Sequence, residues 1–193
     1  MKKIMMIAAM MLMSIGAFAQ NEVGQVTLQP KVGMNISKWT GGDGLKSKVG
    51  LIAGAEAEYG AAENFGVTLG VLYSMEGCKS GDVKLNCDYI NIPIMAQYYL
   101  IKGLAVKAGV QPAFNVRHKA SDGDHTADIN EFVGFVGSKV NTFNFSVPVG
   151  LSYEYMDFVL DARYNIGVTK IFKDAEKGRN STFTITLGYK FAL

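Results

Sequence analysis

Residues 65–76 read FGVTLGVLYSME, and every second side chain in this stretch is large and apolar. The alternate positions carry Gly66, Thr68, Gly70, Leu72, Ser74 and Glu76. A strict period of two indicates a β-strand. Small and polar side chains suit the narrow lumen of a closed barrel, whereas bulky apolar ones face lipid. The stretch therefore predicts one strand of a transmembrane β-barrel.

Seven further segments repeat this pattern, at 28–37, 49–59, 89–100, 104–116, 142–155, 158–169 and 181–191. Their glycines share the polar face: Gly33, Gly50, Gly54, Gly109, Gly150, Gly167 and Gly188. No apolar face carries a charge, although 19% of the chain is charged. A charge at the middle of a lipid-facing strand would cost about 2–4 kcal/mol. We predict an all-β fold, an eight-stranded antiparallel up-and-down transmembrane β-barrel.

The connections between these segments alternate in length along the chain. Those at 60–64, 101–103 and 156–157 are short, and those at 38–48, 77–88, 117–141 and 170–180 are long. Outer-membrane barrels have short periplasmic turns and long external loops. The alternation of long and short connections predicts that both ends of the barrel domain lie in the periplasm.

The first residues have the features of a signal peptide. Lys2 and Lys3 precede an apolar run at 4–15, and Ala17-Phe-Ala19 matches an A-x-A cleavage site. That run is too short to span a bilayer as a helix. We expect residues 1–19 to be a cleaved signal peptide and 20–193 a single barrel domain in the outer membrane of a Gram-negative bacterium. No cysteine follows the cleavage site, which argues against a lipid-anchored lipoprotein.

The charge balance argues against a nucleic-acid partner. The chain has 19 Lys and Arg and 17 Asp and Glu, so removal of Lys2 and Lys3 leaves a formal charge near zero. Nucleic-acid binding would need a basic surface. After residue 19 there is also no apolar run long enough for an inner-membrane helix.

A lipocalin-like barrel is the soluble alternative, with the apolar face turned inward around a ligand. An eight-stranded barrel has little room beyond that filled by side chains. Inversion would crowd the bulky residues inside and place the glycines outside. Aromatic residues near the segment ends also match an interfacial girdle. They are Tyr59, Tyr98, Tyr153, Tyr155, Phe158, Tyr189 and Phe191.

Short motifs in these segments resemble the PorT-like outer-membrane β-barrel family of Bacteroidetes. They are KVGMNIS at 31–37, YINIP at 89–93, AGVQP at 108–112, ARYNIG at 162–167 and LGYKF at 187–191. The resemblance implies a small outer-membrane barrel of the porin family, with a type IX secretion role known for PorT itself. Such barrels use a terminal aromatic residue with the barrel-assembly machinery, whereas Ala192 and Leu193 follow Phe191 here.

Eight charged residues fall on lumenal faces near the predicted periplasmic ends of the segments. The acids are Glu56, Glu58, Glu154 and Asp161, and the bases are Lys31, Lys107, Arg163 and Lys190. Unpaired charges would be costly there, so we expect a neutral network of ion pairs that closes the lumen. The alternative is a selectivity filter or gate for a small solute.

Cys78 and Cys87 lie at the two ends of one predicted external loop. The chain passes through an oxidising periplasm, and the flanking strands bring these residues close. We predict a disulfide between them, with free thiols as the alternative.

The longest loop contains the only two histidines. His118 and His125 accompany three aspartates within 118–128, but their spacing matches neither an EF-hand nor a helical zinc motif. Ser121, His125 and Asp128 could form a catalytic trio, yet the chain has no G-x-S-x-G nucleophile turn. We predict no catalytic, cofactor-binding or metal site, and a solvated loop. Residues 132–136 could extend a strand and offer an edge to a partner.

Two functional hypotheses follow, and both place the chain among outer-membrane lipids. In the first, the barrel is a surface protein whose external loops contact a protein partner or other molecules. In the second, it is an accessory subunit of a secretion or transport complex. The barrel-assembly machinery is an expected partner during insertion in either case.

Overall fold

The computed structural model describes residues 23–40, 45–80, 83–122, 125–128, 141–169 and 179–193. Within these ranges no helix has the length and hydropathy needed to cross a bilayer. The same ranges form eleven β-strands. These are β1 (Val26–Thr40), β2 (Leu45–Ala62), β3 (Phe65–Ser80), β4 (Val83–Asn91), β5 (Ile94–Ile101), β6 (Leu104–Asp122), β7 (His125–Asp128), β8 (Phe143–Tyr155), β9 (Phe158–Gly167), β10 (Arg179–Tyr189) and β11 (Phe191–Ala192).

The strands close into an eight-stranded antiparallel barrel. Each of the eight barrel strands pairs with the next one along the chain, and β1 also pairs with β10, with Lys31 opposite Gly188 and Trp39 opposite Asn180. This last pairing removes the open edges of the sheet. Among the described residues, strand β7 pairs only with residues 119–122 at the end of β6, so it is not one of the eight barrel strands. The predicted fold class is confirmed.

Two barrel strands are each split into two elements. The fourth consists of β4 and β5, which are separated by Ile92 and Pro93. Proline has no N–H group to donate to a ladder, although the Pro93 carbonyl oxygen still accepts a hydrogen bond from Gly70 at 3.0 Å. The eighth consists of β10 and β11, which are separated by Lys190, whose N–H donates to the Asp157 carbonyl oxygen at 2.7 Å.

The apolar face of the sheet points outward. Val106, Leu160 and Ile185 are 36, 47 and 46% exposed, whereas the lumenal Ile52 and Leu72 are almost fully buried. The alternation holds along β9 and β10, in which exposed apolar residues alternate with buried polar ones. The apolar stretches at 49–59 and 65–75 have the length of about 9–11 residues that a transmembrane strand requires. The lipocalin-like alternative is therefore excluded.

The two ends of the barrel differ. Two-residue connections lie at 63–64, 102–103 and 156–157, and we call this the turn end. The opposite end, where β1 is followed by β2 and β3 by β4, is the loop end. In outer-membrane barrels the short turns face the periplasm. Outward-facing aromatic rings cluster at the turn end, with the Tyr189 ring centroid 5.1 Å from that of Phe158 and 4.7 Å from that of Phe191.

The strands extend further at the loop end than the sequence pattern predicts. Residues 77–80 and 83–88 were expected in a loop but continue the β3–β4 ladder, and β6 continues to Asp122. Apolar alternation ends where side chains leave the lipid, but backbone hydrogen bonding does not depend on lipid. The predicted loops at 38–48, 77–88 and 117–141 were therefore too long.

Candidate functional site

Five charged side chains meet across the barrel axis in what we call the central cluster. Its members are Lys31 of β1, Glu56 of β2, Lys107 of β6, and Asp161 and Arg163 of β9. Arg163 binds Glu56 through two parallel hydrogen bonds of 2.5 and 2.8 Å. It also donates to both carboxylate oxygens of Asp161, at 2.5 and 2.8 Å. Such paired contacts are the strongest geometry for an arginine and a carboxylate.

The two lysines complete the central cluster. Lys31 Nζ lies 2.6 Å from Glu56 and 3.4 Å from Asp161. Lys107 Nζ lies 3.0 Å from Asp161 and 3.9 Å from Glu56. Each carboxylate therefore contacts all three cations, and all five side chains are at most 3% exposed. The arrangement leaves no charge in the cluster without an opposite charge beside it.

A second group, the turn-end cluster, lies closer to the short turns. It contains Glu58, Tyr99, Glu154 and Lys190, with Gln29 and Gln97 around them. Lys190 Nζ forms an ion pair with Glu154, lies 3.2 Å from Glu58 and donates to Tyr99 Oη at 3.3 Å. Tyr99 Oη donates to Glu58 at 2.7 Å, as does Gln29 Nε2, and Gln97 also donates to this carboxylate. Lys190 and Tyr99 come from opposite walls of the eight-stranded ring.

The charges of the two clusters balance only when both are counted. The central cluster holds three cations and two carboxylates, so its formal charge is +1. The turn-end cluster holds one cation and two carboxylates, so its formal charge is −1. The eight sequence-predicted residues therefore sum to zero but are divided along the axis.

Glycines on neighbouring strands make room for the central cluster. Lys31 lies opposite Gly188, Glu56 opposite Gly70, and Arg163 opposite Gly150. A Cβ atom added to Gly70 would lie 2.4 Å from Cγ of Glu56, and one added to Gly188 would lie 2.9 Å from Cγ of Lys31. The lumenal glycines thus allow long charged side chains to lie flat across the adjacent strand.

Between the central cluster and the loop end, the lumen contains a small polar cavity that we call the outer chamber. Its volume is about 10 Å³, which is about the space that one water molecule needs. Its lining is Glu76, Asn91, Gln111, Ala113, Asn144, Ser146, Asn165, Asn180 and Thr182. Glu76 is 5% exposed and accepts hydrogen bonds from Ser74 at 2.7 Å, from Thr182 at 3.2 Å and from Asn180.

Cys78 and Cys87 are both buried free thiols in the structure. They lie on adjacent strands but not opposite each other, since Cys78 pairs with Leu85 and Cys87 with Glu76. Both lie beyond Met75 and Ile90, where the exposed apolar positions of β3 and β4 end. Burial raises the pKa of the Cys78 thiol to about 11 and also raises that of Cys87. The disulfide stays a prediction.

The loop residues considered for metal binding or catalysis fall largely outside the described part of the chain. The backbone pairs Asp122 with His125 and Ser121 with Thr126. The side chains of His118, Ser121, His125 and Asp128 are outside the description, as are residues 132–136 and the signal-peptide region 1–19. Among the side chains that are described, no three His, Cys, Asp or Glu residues are grouped as a metal site would require.

Sequence inspection missed several lumenal residues that contact the predicted charges. Gln29, Gln97 and Tyr99 bind Glu58, and Glu76 forms a separate site of its own. All four lie on the lumenal side of the alternation, so their direction was predictable. Their partners depend on which strands face each other across the barrel, and alternation within one strand does not contain that information.

Comparison with known proteins supports the architecture. The model of the family described as "Outer membrane protein beta-barrel domain" matches residues 18–173. No curated protein matches the sequence.

Solved structures with the same fold come from other outer-membrane proteins. The Neisserial surface protein A structure has a TM-score of 0.59 at 16% identity, covering 86% of this chain and 97% of that one. Ail, the attachment invasion locus protein of Yersinia pestis, has a TM-score of 0.54 at 16% identity, covering 88 and 100%. OprG from Pseudomonas aeruginosa has a TM-score of 0.50 at 16% identity, covering 90 and 99%. At these identities the likeness concerns the fold.

Proposed function

Because the chain belongs to the outer membrane protein β-barrel domain family, we propose that it is a non-conducting surface barrel. Its own charged side chains plug the lumen, and its loop end contacts molecules outside the cell. The protein is a small β-barrel of the Gram-negative outer membrane, and the proposal concerns what this barrel does there. Catalysis and cofactors have no part in it.

The observation that supports the plug is the arrangement of two ion-pair clusters one above the other. In the central cluster, Arg163 of β9 reaches Glu56 of β2 at 2.5 Å across the lumen. In the turn-end cluster, Lys190 reaches Tyr99 from the opposite wall at 3.3 Å. An eight-stranded barrel has an interior that side chains alone can fill. A solute would have to separate both sets of buried contacts in order to pass.

Single-channel recording in planar lipid bilayers tests the plug. We expect the refolded full-length barrel to give no stable openings. Because the clusters lie in series, Glu56→Ala with Arg163→Ala should stay closed, and Glu58→Ala with Lys190→Ala should also stay closed. The variant that combines all four changes should conduct. Stable openings of the unchanged protein would refute the plug and favour the alternative, a narrow porin whose lumenal charges act as a selectivity filter or gate for a small solute.

The loop end carries exposed basic side chains just beyond the lipid-facing band. Lys38 on β1 follows the outward Ile36, and Arg117 and Lys119 on β6 follow the outward Val116. Arg117 keeps an ion pair of 3.7 Å with Asp88, although its own side chain is 54% exposed. These positions suit contact with phosphate groups of outer-leaflet lipids or with an anionic molecule. Ail has been crystallised with the heparin analogue sucrose octasulfate.

Binding to immobilised heparin tests this surface role. We expect retention that falls with salt and weakens when Lys38, Arg117 and Lys119 are changed to Gln. As a matched control, the same substitution of Lys102, in a turn at the other end of the barrel, should leave retention unchanged. Equal retention of the two variants would refute the assignment.

An accessory role in a secretion complex is the second candidate. It is supported by the motifs at 31–37, 89–93 and 162–167, which resemble PorT-like barrels of Bacteroidetes. Cross-linking in intact outer membranes followed by affinity purification distinguishes the two roles. Repeated recovery of type IX secretion components supports this candidate. Recovery of the barrel without them supports the surface role.

A further inference from the structure

The barrel closes where β1 meets β10, and an apolar groove of about 390 Å³ runs along the outer face of this seam. We call it the seam groove. Among the described residues, its lining contains no polar or charged side chain. It lies between two outward rows, one on β1 and one on β10, formed by Val32, Met34, Ile36, Phe183, Ile185 and Leu187.

The seam groove and the residues that follow it toward the loop end span the depth of one leaflet. Lys38 comes six residues after Val32 on β1, which is about 20 Å along the strand at about 3.3 Å per residue. With a strand tilt of about 40°, the distance along the membrane normal is about 15 Å. Half of a hydrocarbon core of about 30 Å is the same length. The groove therefore lies beside the acyl chains of the leaflet at the loop end.

Two cations stand at the loop end of the seam groove. On β1, the exposed Lys38 is the next outward residue after Ile36. On β10, Ser181 and then the exposed Arg179 are the outward positions beyond Phe183. Lys38 lies opposite Ser181, so Lys38 and Arg179 are diagonal neighbours, a relation that places Cα atoms about 7–8 Å apart. Both positive side chains therefore reach the level of the lipid headgroups.

The acids of the surrounding strands do not share this surface. The acids of β1, β2, β9 and β10 are Glu56, Glu58 and Asp161. All three face the lumen and are at most 1% exposed. The outward face of these four strands thus carries basic side chains and no acidic one. Each Lys or Arg near a membrane surface strengthens attraction to anionic lipid about fivefold.

We propose that an anionic, phosphate-bearing lipid of the outer leaflet binds along the β1–β10 seam. One acyl chain lies in the seam groove, and the phosphate lies between Lys38 and Arg179. Arginine binds phosphate through paired N–H groups, and lysine adds a second positive charge. Within a bilayer, close packing favours one apolar contact over another, and a chain in the groove contacts side chains on both of its walls. The assignment to the outer leaflet rests on the surface role proposed above for the loop end.

Native mass spectrometry of the refolded full-length barrel, titrated with phosphatidylglycerol in non-ionic detergent, tests this site. We expect one tightly retained lipid per barrel. Lys38→Gln and Arg179→Gln should each raise the lipid concentration at half-occupancy about fivefold, and together about 25-fold. Arg117→Gln with Lys119→Gln removes the same charge from β6, on the opposite side of the ring, and should leave it unchanged. Phosphatidylcholine, whose headgroup has no net charge, should be retained more weakly.

The acyl chain has a test of its own. Met34→Trp fills the seam groove without changing its charge and should weaken retention of phosphatidylglycerol. Val71→Trp, at a lipid-facing position outside the groove, is the matched control and should not. Free glycerol phosphate should fail to displace the lipid, because it has no chain to place in the groove. Displacement by glycerol phosphate would show a site for a soluble anion instead.

Two further results would overturn the proposal. One is an equal loss of retention in the seam and β6 double variants, which would indicate general surface attraction. The other is equal retention by Met34→Trp and Val71→Trp, which would remove the groove from the site. The titration in detergent does not depend on which end of the barrel faces outward. Its failure is therefore distinguishable from failure of the heparin test or of the bilayer recordings.

Discussion

Replacing Glu56 by Gln removes one of the two carboxylates that contact all three cations of the central cluster. Glu56 lies 2.5 Å from Arg163, 2.6 Å from Lys31 and 3.9 Å from Lys107. Glutamine keeps the volume, but the central cluster then holds three cations and only Asp161. Its formal charge rises from +1 to +2. Removing one partner of a buried ion pair costs about 3–5 kcal/mol. We expect Glu56→Gln to lower the free energy of unfolding by a similar amount.

Equilibrium urea unfolding in lipid vesicles, followed by circular dichroism, measures this loss. The exposed Glu63→Gln, in a turn, is the matched control and should change stability by less than about 0.5 kcal/mol. Adding Lys31→Met to Glu56→Gln returns the cluster to +1, so the double variant should be more stable than the two single losses predict. Coupling in such contacts is about 0.5–3 kcal/mol. A loss below about 1 kcal/mol, or strictly additive losses, would refute the network's contribution to stability.

Three further outcomes are expected. Val71→Lys, on the lipid-facing surface, should cost about 2–4 kcal/mol in the same unfolding assay while Val71→Leu is nearly neutral; a small cost for the lysine would contradict the orientation of the sheet. Gly70→Ala should be destabilising by about 1–3 kcal/mol because the added Cβ would collide with the Glu56 side chain of the central cluster. Gly66→Ala, whose added Cβ would have its closest contact at 3.1 Å, should cost less stability. A larger loss for Gly66→Ala than for Gly70→Ala would be incompatible with the packing. Alkylation of the denatured protein without reduction should leave Cys78 and Cys87 unmodified if the predicted disulfide forms. Two alkylated thiols in mass spectrometry would rule the disulfide out. The protein has to be denatured because burial raises the pKa of both thiols and so lowers their reactivity in the folded state.

The sequence predicted the barrel because lipid and lumen impose opposite requirements on successive residues. The segment at 65–76 assigned each side chain to the face on which the structure has it, with Val71 exposed and Leu72 buried. The hydropathy pattern did not predict the strand beyond residue 76, where β3 continues to Ser80. Lipid contact explains the first result, and hydrogen bonding to β4 explains the second. Hydrogen bonding between strands leaves no signature in the hydropathy of the sequence.

For the lumenal charges as well, the sequence predicted the face of each side chain but not its contacts. Alternation and strand direction place Lys31, Glu56 and Arg163 inside, near the turns. They do not specify that Arg163 binds Glu56 with two hydrogen bonds, or that the eight charges divide into two groups. Those contacts depend on the stagger of strands around the ring. Glu76 was identified as lumenal but not as a separate site, because its surroundings come from β3, β4 and β10 together.

The pairing of β1 with β10 has a consequence for biogenesis. The partner of the first strand is synthesised after all the other barrel strands. Until that partner arrives, the Val26–Thr40 backbone has a row of unsatisfied N–H and C=O groups, which hydrocarbon does not tolerate. Insertion strand by strand during translation is therefore disfavoured. The ring can be completed only when the eighth strand is present, so the apolar outer face of the earlier strands has to be shielded from water until then.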